Sequence, residues 1–319
     1  MSVFENLSKR DRILGGLWGS LVGDALGVPV EFKDRALVQA DPVKDMRGNG
    51  THHQPPGTWS DDGAMILCTA ESLLHHEFNL TDMGDRFVRW MNNGLWTANG
   101  DVFDVGGTTA TALLRIAKGM PAEQAGSQSE DSNGNGSLMR ILPLVLRFTT
   151  EPIESFTGRL EKCSAITHAH ARSPMACVFY GLVIRQFMLG LQPGAALDSA
   201  RAEFTGWYER SAEFSRFHHI LEDDFVSVPE GEIVSTGYVL HTLHASLWCL
   251  ITTRSFEECV LRAVNLGGDT DTTGCVAGGM AGVHYGVNAI PDKWCQALAR
   301  HDDVEVLFND FSQLIAPKS

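Results

Sequence analysis

The sequence predicts an all-α protein, and three observations carry that prediction. Apolar residues recur at helical spacing almost from end to end. Alternating β-branched runs, the mark of half-buried strands, are nearly absent. Two stripes of glycine at four-residue spacing mark helices that must approach another backbone closely. Helical density is the same on both sides of the one low-complexity stretch, AEQAGSQSEDSNGNGS (122–137). Residues 1–319 are therefore expected to form a single domain, a compact bundle of about a dozen helices, with that stretch as a polar loop.

The first helix opens at Ser8, which with Asp11 forms a capping-box pattern. Ile13, Leu14, Leu17, Trp18, Leu21, Val22, Ala25 and Leu26 then form its apolar face, and Gly27 and Pro29 end it. Gly15, Gly19 and Gly23 flatten a second face. Further helices are expected near 62–77, 81–92, 107–118, 137–148, 155–167, 172–190, 194–217, 232–252, 255–265, 272–285 and 291–300. The Asp302-Asp303 pair reads as solvated surface.

Of the 319 residues, 44% are hydrophobic, enough for a sizeable core. The 39 Asp and Glu outnumber the 25 Lys and Arg, for a formal charge of −14. Such a surface repels phosphate backbones and anionic lipids, so neither nucleic acid nor a membrane is expected as a partner. A small anionic ligand is still admissible where a helix N-terminus or a bound cation reverses the local field. The seven cysteines are scattered through apolar stretches with no C-x-x-C pair, as expected of free thiols in a reducing compartment. MSVFENLSKRDRIL lacks the apolar core of a signal peptide, and no run approaches the ~20 residues of a bilayer span. A cytoplasmic monomer is expected.

The chemistry concentrates in two helix starts. GGDTDTTGCVAGGMAG (267–282) sets Asp269, Asp271, Thr272 and Thr273 ahead of a second glycine stripe: Gly274, Gly278, Gly282 and Gly286. An interior glycine costs roughly 0.5–1 kcal/mol relative to alanine, so two such stripes are expected to pack backbone to backbone. The aspartates and threonines read either as N-caps or as oxygen ligands for a hard cation. TWSDDGAM (58–65) repeats the choice with Ser60, Asp61 and Asp62. Convergence of the two starts would favour a shared metal site. No G-x-S-x-G elbow, P-loop or H-E-x-x-H motif is present, and neither GNG (48–50, 134–136) continues into a dinucleotide fingerprint. His241 and His244, three apart on an expected helix, and His168 and His170 read as hydrogen-bonded or surface histidines.

Taken in order, GGLWGSLVGDALGVPVEF (15–32), TWSDDGAM (58–65), FDVGGTT (103–109), NGSLMR (135–140), AITH (165–168) and GGDTDTTG (267–274) resemble the segments of the ADP-ribosylglycohydrolase family. The resemblance implies a metal-dependent hydrolase that cleaves the N-glycosidic bond of ADP-ribosylated arginine, on a protein or a small guanidino compound. O-linked ADP-ribose as substrate, or ADP-ribose binding without turnover, are the alternatives. It implies that Ser60, Asp61, Asp62, Asp269, Asp271 and Thr272 hold two cations, Mg²⁺ or Mn²⁺, at helix N-termini. Glu31 and Asp104 would be the catalytic carboxyls, and Gly106, Gly107, Asn135, Gly136, Ser137 and His168 would contact the ADP-ribose. Gly63 and Thr270 depart from the residues common in the family, without removing an implied ligand.

Overall fold

In the computed structural model, which describes residues 7–317, helices follow one another in the order α1 (Lys9–Gly27), α2 (Asp61–His75), α3 (Leu80–Asn93), α4 (Gly107–Ala117), α5 (Leu142–Phe148) and α6 (Ile153–Ala165). They continue as α7 (Arg172–Met188), α8 (Pro193–Tyr208), α9 (Val239–Ile251), α10 (Phe256–Val264), α11 (Thr270–Tyr285) and α12 (His301–Ile315), with shorter helical turns between. Among the described residues there is no sheet, only three isolated β-bridges.

Helix α1 begins at the capping box: the Ser8 hydroxyl accepts from the Asp11 amide at 3.1 Å, and the Ser8 amide donates to the Asp11 carboxylate at 3.1 Å. It lies antiparallel to α11, every residue of which is buried. The two glycine stripes meet pair by pair. A Cβ placed on Gly15, Gly19 or Gly23 would stand 2.2, 2.3 or 2.0 Å from the carbonyl oxygen of Gly282, Gly278 or Gly274 respectively. Only hydrogen fits at such a contact. Around this pair, α7, α9 and α10 pack on α11, α12 and α2 pack on α1 and on each other, and α8 and α6 pack outside α7.

Helix α1 with its following turn (Lys9–Val30) is long and apolar enough to cross a membrane by length and composition, contrary to the sequence expectation. The apolar stretch is 94% buried inside the protein, as a core helix is.

Four helices are shorter than their periodicity predicts. The expected 137–148 helix starts only at Leu142, after a separate turn in which the Leu138 and Met139 amides donate to the Asn135 carbonyl. The expected 232–252 helix starts at Val239, because Ser235 and Gly237 spend their carbonyls on the amides of Asp269 and Asn135. The 194–217 segment stops at Tyr208 and the 291–300 segment at Ala297. Helix α12 was not foreseen. Its exposed Asp302 and Asp303 occupy the favourable first turn, while Val304, Leu307, Phe308 and Phe311 form a buried face behind them.

Two glycine-to-alanine changes should shift stability in opposite directions. Gly19→Ala forces a methyl against a backbone carbonyl and should cost at least about 1–3 kcal/mol. Gly158→Ala, in α6 with no atom within 4 Å of the added carbon, should gain roughly 0.5–1 kcal/mol. Thermal or urea unfolding of the two variants checks both signs.

Candidate functional site

The α1–α11 contact brings both predicted helix starts to one place. At its end Gly27 abuts Asp271, whose Cα would lie 2.4 Å from a Cβ at Gly27. The chain leaves α1 through the Val28–Val30 turn and presents Glu31. Gly267 and Gly268, both left-handed (φ +75° and +73°), turn the other strand of chain into Asp269. The two loops are tied by backbone bonds, Phe32 donating to Gly268 at 2.7 Å and Gly268 to Lys33 at 2.9 Å. Helix α2 is held by Asp24, a fully buried carboxylate on α1. It accepts the backbone N–H groups of Ser60 at 3.0 Å and Gly63 at 2.8 Å, serving as an N-cap supplied by another helix.

The carboxyls that result are crowded and buried. Asp24, Asp62 and Asp271 each place one oxygen within 4.8 Å of the others, as do Glu31, Asp269 and Asp271, so the two groups share Asp271. Ser60 and Thr272 both donate to Asp62 Oδ2, at 3.0 and 3.1 Å, and Asn135 donates to Asp269 Oδ2 at 2.8 Å. Asp62 Oδ1, Asp269 Oδ1 and Asp271 Oδ2 are buried with no hydrogen-bond partner among the described residues. An anionic oxygen left so is costly unless a cation meets it. Hard oxygen donors without a histidine or thiol in either trio fit a divalent ion of the magnesium or manganese kind.

Above these carboxyls opens a cleft of about 350 Å³. Glu31, Asp61, Asp104, Asp269 and Thr272 line its acidic side, and Gly106, Gly107, Asn135, Gly136 and His168 its other side. Asp104 holds a left-handed backbone (φ +55°), a conformation that costs of order 1–3 kcal/mol in a non-glycine residue and clusters at functional sites. Gly106 caps α4 without a side chain, leaving the helix amides free to face an anion. Glu31 pairs with His52, and Glu31, His52 and Asp104 form a third close group. Ser60, Asp62 and Asp271 lie beneath the cleft. Ser137 does not reach it: its hydroxyl is fully buried, accepting from Ser164 at 2.8 Å.

The protonation of His168 follows from its neighbours. Arg140, fully buried, donates to the Thr167 hydroxyl at 2.8 Å, and that hydroxyl lies 2.8 Å from His168 Nδ1. Guanidinium can only donate, which leaves the hydroxyl proton available to Nδ1, while Nε2 lies beside Gly134 and Gly136 on the cleft side. Burial, then the charge of Arg140, push the imidazole pKa down to about 3, so it stays neutral.

A family model described as ADP-ribosylglycohydrolase matches residues 5–319. The chain belongs to the ADP-ribosylglycohydrolase family. Members are hydrolases acting on ADP-ribose glycosidic bonds, and this chain is an enzyme of that class. Among its relatives is the ADP-ribosylarginine hydrolase Tri1 of Serratia proteamaculans, 30% identical over 93% of this chain and 78% of the relative. The ADP-ribosyl-[dinitrogen reductase] glycohydrolase of Rhodospirillum rubrum is 30% identical over 91% of both. The ADP-ribosylhydrolase ARH3 of Danio rerio is 28% identical over 92% of this chain and 88% of that one. A solved ADP-ribosylglycohydrolase-related protein complex superposes with a TM-score of 0.81 at 34% identity, covering 96% of this chain and 99% of that one.

Within this glycohydrolase fold, sequence reasoning missed Asp24, His52 and Phe32. Asp24 carried a signal, being the one carboxylate within an otherwise apolar, glycine-striped helix face. His52 and Phe32 carried none, because their place beside Glu31 comes from loop packing.

Burial, reinforced by mutual repulsion, pushes Asp61, Asp62 and Asp271 well above the carboxylate range and Glu31 upward, and burial raises Asp269 against the hydrogen bonds it accepts. Asp24 and Asp104, also raised chiefly by burial, reach about 7. The folded chain thus keeps protons that the unfolded chain releases above its ordinary Asp value of 3.8, so metal-free stability should fall as pH rises from there through 7. Cations replace those protons, and their binding should strengthen with pH. Thermal melts with and without Mn²⁺ should show a larger metal-induced rise at pH 8 than at pH 5, worth about 2.7 kcal/mol at a hundredfold excess over Kd. An equal rise at both pH values would exclude these carboxyls as the binding groups.

Proposed function

We propose that this enzyme hydrolyses the N-glycosidic bond joining ADP-ribose to an arginine guanidinium, on a protein or a small guanidino compound. The observation that carries the reading is the pairing of Glu31 and Asp104 in the cleft, two carboxyls held beside an exposed aromatic ring. Phe32 lines the same cleft, is 65% exposed and has a left-handed backbone (φ +61°). Carboxyls and an aromatic face together suit a planar cation better than a neutral hydroxyl or acetyl group. The relative named for ADP-ribosylarginine supports the same linkage, and the one named for dinitrogen reductase supports a protein substrate.

Two divalent cations, Mg²⁺ or Mn²⁺, would be held by Asp61, Asp62, Asp269 and Asp271, with the Ser60 and Thr272 hydroxyls beside them. Bound there, they supply positive charge that offsets the carboxylates and orients the ribose hydroxyls. The remaining work falls to the chain. The free amides at Gly106 and Gly107 receive the diphosphate, with Asn135 and Gly136 alongside and His168 Nε2–H as a donor. Asp104 takes a proton from the attacking water as oxygen bonds to the anomeric carbon. The carbon–nitrogen bond breaks, its electron pair leaves with the guanidine, and Glu31 gives that group its proton.

The assignment follows the direction in which the environments push the pair apart. Burial and four neighbouring aspartates push Glu31 upward, further than Asp104. Burial and Asp269 bring Asp104 to about 7, against the hydrogen bond it receives from Glu31. Asp104 is therefore the group that empties near neutral pH.

Asp104→Asn should lower kcat at least about a hundredfold with little change in KM. Wild-type kcat should rise with pH to a midpoint at or below about 7, since bound cations can only lower it, and this limb should vanish in the variant. Release of ADP-ribose should be followed from arginine-linked, serine-linked and O-acetyl substrates, with and without EDTA. Cleavage of the O-linked substrates alone would overturn the linkage, and wild-type rates in both Asp104→Asn and Glu31→Gln would overturn the mechanism. Thr167→Val, which frees His168 to place its proton on Nδ1, should weaken ADP-ribose binding about tenfold in calorimetry, the worth of one good hydrogen bond.

A further inference from the structure

The loop GNGTHHQ (48–54) lies between α1 and α2, and none of its residues lines the cleft. Its GNG continues into no dinucleotide fingerprint, and the structure gives it a different use. Asn49, Gly50 and His53 all take positive φ, at +64°, +66° and +55°. The Asn49 amide donates to the Gln54 carbonyl at 2.7 Å and closes the turn. A Cβ on Gly50 would stand 1.9 Å from the Pro29 carbonyl oxygen, so the turn is seated directly on the chain that leads into Glu31. The Thr51 hydroxyl then donates to the Glu31 carbonyl at 2.7 Å. Strained backbone persists only where its surroundings hold it, and here they deliver one side chain, His52, to the catalytic pair.

His52 Nε2 meets Glu31 Oε2. Glu31 is also hydrogen-bonded to Asp104, so its carboxyl is gripped from two sides. The three residues each place one atom within 4.8 Å of the others. The imidazole is itself held: its ring centroid lies 5.0 Å from that of Phe103 and 6.0 Å from that of Phe32, and its side chain is only 13% exposed. Glu31 needs such a hold. Asp61, Asp104, Asp269 and Asp271 all oppose a negative charge on it. A general acid, moreover, works only when its proton lies within hydrogen-bond reach of the departing atom.

We infer that His52 is a positioning residue of the hydrolysis, fixing Glu31 Oε2 and so aiming the carboxyl at the leaving guanidine without touching the substrate. The inference rests on the reading of Glu31 as proton donor to the leaving group. In that step the Glu31 O–H bond breaks and its proton joins the nitrogen, which departs with the electron pair of the carbon–nitrogen bond. Glu31 is left as a carboxylate that His52 still holds. Loss of the hold should therefore slow the departure of a group that needs a proton and spare one that does not.

The test uses the whole enzyme with Mg²⁺ and two substrates. One is arginine-linked ADP-ribose; the other carries nitrophenol in the same anomeric configuration, and nitrophenolate leaves without a proton. His52→Phe keeps an aromatic ring beside Phe32 and Phe103 but has no nitrogen, whereas His52→Gln keeps a nitrogen and loses the ring. His52→Phe should lower kcat on the arginine substrate at least about tenfold, with KM and nitrophenyl hydrolysis within about twofold of wild type. His52→Gln should return to within about threefold of the wild-type kcat. ADP-ribose binding at wild-type affinity in calorimetry would show that the variants fold. Equal losses on both substrates, a wild-type arginine kcat in His52→Phe, or a His52→Gln as slow as His52→Phe would overturn the proposal. Glu31→Gln, assayed alongside, separates the two readings. If it shows no arginine-selective loss, the acid assignment fails and this inference with it; if it shows one and His52→Phe does not, only the role of His52 fails. A wild type that cleaves serine-linked ADP-ribose alone would defeat the linkage and not this inference. A departing serine oxygen needs the proton as well, so the same comparison is then made on that substrate.

Discussion

The contact between the glycine faces of α1 and α11 is the constraint on which the rest depends. Carbonyl oxygens sit where a side chain would begin, at Gly15 against Gly282, Gly19 against Gly278 and Gly23 against Gly274. Each glycine weakens its own helix by roughly 0.5–1 kcal/mol, which close van der Waals contact over the whole pair must offset. What the contact secures is register. A four-residue repeat on both helices allows antiparallel alignment only in steps of about one turn, roughly 5–6 Å. In the observed step Gly27 meets Asp271. A slip of one turn would separate Asp24 from Asp271 and take apart the trio they form with Asp62.

That alignment sets up an electrostatic conflict, and the site is shaped by how the conflict is managed. The starts of α2 and α11 meet, so the positive ends of two helices face the same carboxyls. Asp24 spends its charge on the amides of Ser60 and Gly63, and Asp269 takes a bond from Asn135. These bonds leave three carboxylate oxygens unanswered. A fold optimised for stability alone would replace such groups with apolar ones, and their persistence in a buried cluster is the kind of local inconsistency that marks function. The left-handed backbones of Phe32 and Asp104 lie at the rim of the same cleft.

Much of this was legible in one dimension. The capping box at Ser8, both glycine stripes and their mutual packing, and the two acidic helix starts were all readable, because each depends on spacing within a segment. So were the two rows of cleft residues, through the order of six short motifs. Other features were not. The helix expected at 232–252 is cut short because distant amides claim the carbonyls of Ser235 and Gly237, and periodicity cannot register a competitor far along the chain. Ser137 sat among cleft residues in its motif, but its side chain turns inward to Ser164. Asp24 read as a residue of α1 until the amides of α2 came to rest on it.

The sequence by itself determined the class of fold, the partners of the central helix pair and the chemical character of the site, since periodicity, glycine spacing and oxygen-rich caps are local properties of the chain. Only the tertiary structure decided which carboxyls gather beneath the cleft and which side chains stand around Glu31. Each of these depends on atoms from segments many residues apart, and their distances are set by packing, which no spacing along the chain encodes.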